Sequence, residues 1–206
     1  MIKQRSFITG IKSFNLSSKE KKFLNEYKPW GVILFSRNIK SIKQTKRLTD
    51  QIKNIFKNNK YPILIDQEGG RVNRLKKITN IKPLTNEYFG KLYSKDKKKF
   101  NRYYKEFIKQ TSNLLRLIGV NINTVPVLDV IRKNTSKILE NRSFSKNPNV
   151  VKKLGQACIK QYEINKLGTV IKHIPGHGCA SIDSHLNLPK VNLSYKNLEK
   201  KRFFTI

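Results

Sequence analysis

Four short stretches of this chain carry the residue types that chemistry needs. The first is Asp66-Gln67-Glu68-Gly69-Gly70-Arg71-Val72-Asn73-Arg74, where two carboxylates and two guanidinium groups surround a glycine pair that permits a tight turn. A carboxylate accepts the paired hydroxyl hydrogen bonds that sugars offer, and an arginine grips a carboxylate or amide oxygen. A salt-bridged surface loop would have the same composition. The second is Arg142, within Glu140-Asn141-Arg142-Ser143-Phe144, which alone reads equally well as a solvated arginine. The third and fourth lie between Lys172 and His185 and contain all three histidines of the chain. Lys172-His173 comes first, a glycine-flanked His177 makes a bend, and Asp183 and His185 follow two residues apart. An aspartate that accepts a hydrogen bond from one imidazole nitrogen fixes the tautomer and raises the basicity of the other, which suits a general acid/base near neutral pH. His173, His177, Asp183 and His185 are also plausible metal ligands, so a metal-dependent hydrolase stays open here.

These stretches follow strand-like runs. Short β-type segments alternate with amphipathic helical ones, the pattern of parallel α/β architecture. Strands are expected over 6–11, 31–35, 61–65, from about Val120 to Asp129, and over 169–171. Ser17 with Glu20, and Ser41 with Gln44, have the spacing of capping boxes and open two helices. Phe100, Tyr103, Tyr104, Phe107, Leu114, Leu115 and Ile118 mark a long helix that Gly119 closes. Asn147-Pro148 starts another, which Gly168 is expected to end, and Ser194 caps a last one. Chemistry at the carboxyl ends of parallel strands is the arrangement of a barrel active site. The expected fold is α/β, a TIM-type (β/α)8 barrel with about five to six βα units present, in one domain over residues 1–206. A closed barrel takes eight units and roughly 250 residues, so this one is expected to be incomplete at its C-terminal end.

Composition narrows the class further. Apolar residues are 37% of the 206, enough for one core, and no run approaches the length of a membrane span. The start MIKQRSFITG lacks a continuous apolar signal segment, so a cytoplasmic protein is expected. Cys158 and Cys179 fit neither a disulfide framework nor a zinc-knuckle spacing. Lysine and arginine total 44 against 13 acidic residues, a net charge of +31. The basic residues are spread along the whole chain, with lysine, asparagine and isoleucine abundant, as AT-rich coding produces. No specific nucleic-acid partner is expected from charge alone.

Taken together, the motifs resemble those of the family 3 glycoside hydrolases, in their bacterial β-N-acetylhexosaminidase branch of the peptidoglycan-recycling type. The resemblance rests on Lys172-His173-Ile174-Pro175-Gly176-His177-Gly178 followed by Asp183-Ser184-His185. It is carried equally by Asp66 to Val72, Gly31 to Asn38 and Pro126 to Val130, in the family's order and spacing from Phe7 to about Val191. It implies hydrolysis of terminal β-N-acetylglucosamine from muropeptide fragments, with retention of configuration and no metal or organic cofactor. It places Asp66, Arg74, Arg142, Lys172 and His173 on sugar-binding positions, His185 on the general acid/base and Asp183 on its partner. The family's nucleophile is an aspartate after a later strand, and nothing in this sequence matches its motif. The chain is therefore expected to be catalytically inactive and poorly folded by itself. A sugar-binding remnant is the competing reading, and Asp129 is the fallback nucleophile.

Overall fold

A computed structural model describes residues 4–132, 135–174 and 176–180, with Leu188, Lys190, Val191, Ser194 and Lys196. Five strands form one parallel sheet in chain order: β1 (Arg5–Gly10), β2 (Pro29–Leu34), β3 (Ile63–Ile65), β4 (Ile122–Asn123) and β5 (Gly168–Thr169). Parallel neighbours need crossovers, and helices supply them: α1 (Ser18–Tyr27), α2 (Ile42–Ile55), the pair α3 (Asn86–Lys95) and α4 (Lys97–Leu117), and α5 (Pro148–Ile164). Among the described residues β1 and β5 each have a single neighbour.

Local sequence sets the helix starts. Ser17 Oγ accepts from the Glu20 N–H while Glu20 accepts from the Ser17 N–H, a full reciprocal box. Ser41 caps α2 by accepting from the Gln44 N–H, but the Gln44 side chain accepts from the Lys40 N–H and donates to Phe14 O, so that box is one-sided. Pro148 stands in the first turn of α5 behind an Asn147 cap, where its missing N–H costs nothing.

Register decides which side chains meet. The ladder aligns Ile33, Leu64, Ile122 and Gly168 on one face, and Leu34, Ile65, Asn123 and Thr169 on the other. The second face packs on the helices: Val32, Leu34, Ile63 and Ile65 join Leu48, Ile52, Ile108, Leu115, Val151 and Leu154 in the core. The first face is the barrel-interior side, where a Cβ at Gly31 would lie 2.9 Å from Leu64 Cδ1. Because alternate residues share a face, Asp66, Thr124 and Lys172 all leave their strand ends on this interior side.

Three expectations shift. The fourth strand does not reach Asp129: Pro126 has no N–H for a ladder, and only Val127 resumes pairing, as a bridge to Lys172. Gly168 does not end a helix. α5 stops at Ile164, Lys166 takes the left-handed turn at φ 59°, and Gly168 begins β5 packed on β4, where a Cβ would sit 3.2 Å from Ile122 Cγ1. A helix not anticipated, α3, precedes α4, with Thr85 as its cap. The helix expected after Ser194 falls almost wholly outside the described residues.

Candidate active site

The polypeptide leaving β3 makes the first wall. Gly69 and Gly70 take φ 103° and 57°, and a Cβ at Gly69 would meet Leu84 O at 2.3 Å, so only glycine turns here without strain. The turn closes with Val72 N–H to Gly69 O and Glu68 N–H to Val72 O, both 3.1 Å. Gln67 points to the helix side. Its Oε1 accepts from the N–H groups of Arg74 and Leu75, and its own peptide is held by Asn123, whose side chain donates to Gln67 O and accepts from Gln67 N–H at 2.9 Å each. Asn123 in turn touches the Tyr162 hydroxyl of α5 at 3.0 Å. Asp66 and Glu68, on either side of Gln67, therefore point into the site.

There the charges interlock. Asp66 accepts from Lys172 Nζ at 2.9 Å, from Arg74 Nη2 at 3.2 Å and, in a very short contact, from the Thr124 hydroxyl. Glu68 receives Arg142 in a two-point fork, Nε to Oε2 at 2.9 Å and Nη2 to Oε1 at 2.8 Å, and its Oε1 also meets Lys172 Nζ at 2.6 Å. Arg142 sits on a single 3-10 turn, Glu140–Arg142, whose carbonyl accepts from Asn86 of α3 at 2.7 Å. Asp129 holds the remaining piece, with His173 Nδ1 at 2.6 Å and the His177 N–H at 2.5 Å on its two oxygens. A carboxylate only accepts, so Nδ1 of His173 carries the proton on this side. The other ring nitrogen, Nε2, lies 3.4 Å from Arg142 Nη2, and the His173 and His177 rings stack at 4.6 Å.

Burial alone would push the Asp66 carboxyl up, but Lys172, Thr124 and Arg74 outweigh it and bring its pKa to about 2. Glu68 shows the same contest: burial raises it, and Arg142 with Lys172 pull it below the ordinary glutamate value. Asp129 is likewise raised by burial and lowered further by His173 and the His177 N–H. Burial disfavours the charged Arg142, yet Glu68 more than compensates and raises its pKa. Three anionic carboxylates thus face Arg74, Arg142 and Lys172. The side chains are graded in depth, from Glu68 at 2% exposed to Asp66 at 19% and Arg74 at 29%. That gradient leaves one open, polar side with both donors and acceptors, suited to a neutral polyhydroxylated ligand.

All five residues expected to bind a ligand, Asp66, Arg74, Arg142, Lys172 and His173, meet in this network. Asp183 and His185, the expected acid/base pair, lie outside the described residues. Arg71, which the sequence grouped with Arg74, instead donates to Ile138 O at 3.1 Å. Glu68, which the sequence grouped with Asp66, and Asp129, which it offered only as a fallback nucleophile, were not expected to bind the ligand, yet both are integral to the network. Their signal was there: each is an acidic residue close after a strand-like run.

A parallel sheet with interleaved helices and a charged cluster at its carboxyl ends is the arrangement of a barrel-type α/β site. The chain matches the glycosyl hydrolase family 3 N terminal domain over residues 2–205, and it belongs to that family. A β-hexosaminidase of Neisseria meningitidis serogroup A is 35% identical over 193 residues, 93% of this chain and 53% of that protein. The crystal structure of native NagZ from Neisseria gonorrhoeae superposes with a TM-score of 0.87 at 31% identity, covering 98% of this chain and 58% of that one. The same gonococcal protein in complex with N-trifluoroacetyl-D-glucosamine gives 0.86 at 31% identity, over 97% and 58%. The chain spans about half the length of most of the curated relatives it matches. The fold is thus the N-terminal part of a TIM-type barrel.

Proposed function

We propose that this chain forms the sugar-binding part of a β-N-acetylhexosaminidase site that takes terminal β-N-acetylglucosamine from peptidoglycan-derived fragments in the cytoplasm. The supporting observation is the convergence of Asp66, Arg74, Arg142, Lys172 and His173, drawn from the segments that follow β3, β4 and β5, into one partly exposed network. In this reading Asp66 accepts sugar hydroxyl hydrogen bonds, while Arg74, Arg142, Lys172 and His173 surround the ring and its acetamido group. His185 is the general acid/base, oriented by Asp183, in a retaining mechanism. No metal or organic cofactor takes part. Of the four side chains that a metal-dependent alternative would use, Asp183 and His185 lie outside the described residues, and His173 is engaged by Asp129.

Retention requires a nucleophile. Asp129 is poorly suited, because both its oxygens are already taken and it is 3% exposed. Residues 1–206 are therefore proposed to bind N-acetylglucosamine without turning over a chromogenic N-acetylglucosaminide. Calorimetry and a hydrolysis assay on the same preparation test both halves. A melt first decides whether residues 1–206 unfold cooperatively, against the poor folding expected from the sequence. For folded protein, saturable binding with no release is expected; absence of binding refutes the sugar reading, and enzyme-like turnover refutes the account of the nucleophile.

A further inference from the structure

Glu68 is the most deeply placed charge of the network, yet no ligand can reach it: its side chain is 2% exposed and both its oxygens are consumed. The two cations it joins arrive from distant parts of the chain. Arg142 lies 74 residues away on a loop whose local order is one 3-10 turn, and Lys172 enters from beyond β5. Other contacts hold the Arg142 guanidinium only loosely, since its reach to Ile138 O and to His173 Nε2 is 3.4 Å in both cases. By contrast, the position of Glu68 is settled through its backbone, by the glycine turn and by the lock of Asn123 of β4 on the adjacent Gln67 peptide.

One oxygen, Oε1, accepts from Arg142 Nη2 at 2.8 Å and from Lys172 Nζ at 2.6 Å. Two like charges sharing one oxygen repel across a short distance, and that repulsion is strong where water is thin. Lys172 is also held by Asp66 at 2.9 Å, but Glu68 is the anion that bridges the two cations. Resting on the sugar-binding reading above, we infer that Glu68 is a positioning residue, a sealed carboxylate that sets the guanidinium of Arg142 and the ammonium of Lys172 at the spacing the sugar meets. It touches no substrate and moves no proton. Its length matters as much as its charge, because the fork to Arg142 and the contact with Lys172 must be satisfied at once.

Glu68→Asp separates this from a purely structural role, since it keeps the charge and withdraws it by one methylene. In the full 206-residue chain this variant is expected to melt within a few degrees of wild type. It is expected to bind N-acetylglucosamine at least about tenfold more weakly by calorimetry, the scale of losing a hydrogen bond to a charged group. The nitrogen–proton signal of Arg142 Nε, held by Glu68 Oε2 in the wild type, is expected to lose its protection from solvent exchange. Wild-type affinity in Glu68→Asp overturns the inference, as does a lowered melting point with unchanged affinity of the folded fraction. If Glu68→Asp does not fold, Glu68→Gln, which keeps the length and loses the charge, is judged by the same readouts. Should the wild type itself fail to bind N-acetylglucosamine, the sugar reading falls. The Nε signal still decides the clamp: protection that survives in Glu68→Asp refutes it.

Discussion

Replacing Asp66 by asparagine removes one of the three carboxylates that face Arg74, Arg142 and Lys172, and the cost should depend on pH. In the folded chain the Asp66 carboxyl has a pKa of about 2, against the ordinary 3.8 of an unperturbed aspartate. A group whose folded pKa is depressed contributes stability that is fully present above the unfolded value and is lost as pH falls through the folded one. The gap between these two values corresponds to about 2.4 kcal/mol at 1.36 kcal/mol per pH unit. The side chain is 19% exposed, so solvent screening trims this only modestly. Urea denaturation of wild type and Asp66→Asn at pH 7, 5, 4, 3 and 2.5 measures it. Wild type is expected to be the more stable at pH 7. The difference should hold down to about pH 5 and then shrink, by about 1.5 kcal/mol at pH 2.5, with the remainder lost only below the folded pKa of about 2. Glu68 and Asp129 titrate in both proteins, so the comparison isolates Asp66 as far as coupling allows. A difference that stays constant over that range would show that the ion pairs to Asp66 are not what holds its carboxyl ionised.

Other outcomes are equally concrete. In a form of the protein that turns over, His185→Ala should lower the rate by about 100-fold or more and leave N-acetylglucosamine affinity nearly unchanged; steady-state and binding measurements together check this, and near-normal turnover removes His185 from the mechanism. Gly69→Ala forces a Cβ to within 2.3 Å of Leu84 O at φ 103° and should destabilise the chain by roughly 1–3 kcal/mol; a thermal melt matching wild type would contradict that geometry. The Cys158 thiol is buried, with its pKa pushed up to about 12, while Cys179 is partly exposed; a thiol reagent should label Cys179 in the native protein and Cys158 only after denaturation.

Much of this architecture was legible because its signals are local. The Ser17 box, the Asn147-Pro148 start and the β-branched runs each act within a few residues, and each appears where expected. Register then delivered Asp66 and Lys172 to one face without further information. The errors have physical sources too. Gly168 reads as a helix terminator, but packing on Ile122 recruits it into a strand, and the left-handed turn falls to Lys166. The strand through Pro126 read as continuous because its apolar character continues after its N–H ladder stops. Glu68 was passed over because a buried glutamate is justified only by its partners, and those stand 74 and 104 residues further along the sequence. Asp129 was read only as a fallback nucleophile for a similar reason: its partner His173 lies 44 residues on.

Those separations also bear on the order in which the chain acquires its structure. The first three strands and their helices close through contacts of modest span, but the Lys172–Asp66 pair joins residues 106 apart. Until β5 has docked, Asp66 and Glu68 lack a cation that their burial requires, and desolvating them early would be costly. The carboxyl ends of the sheet should therefore stay hydrated while its middle condenses, with the polar network sealing last. During synthesis the same delay would persist until Lys172 has left the ribosome. The groups that give the mature site its chemistry would be the last part of this fold to become dry.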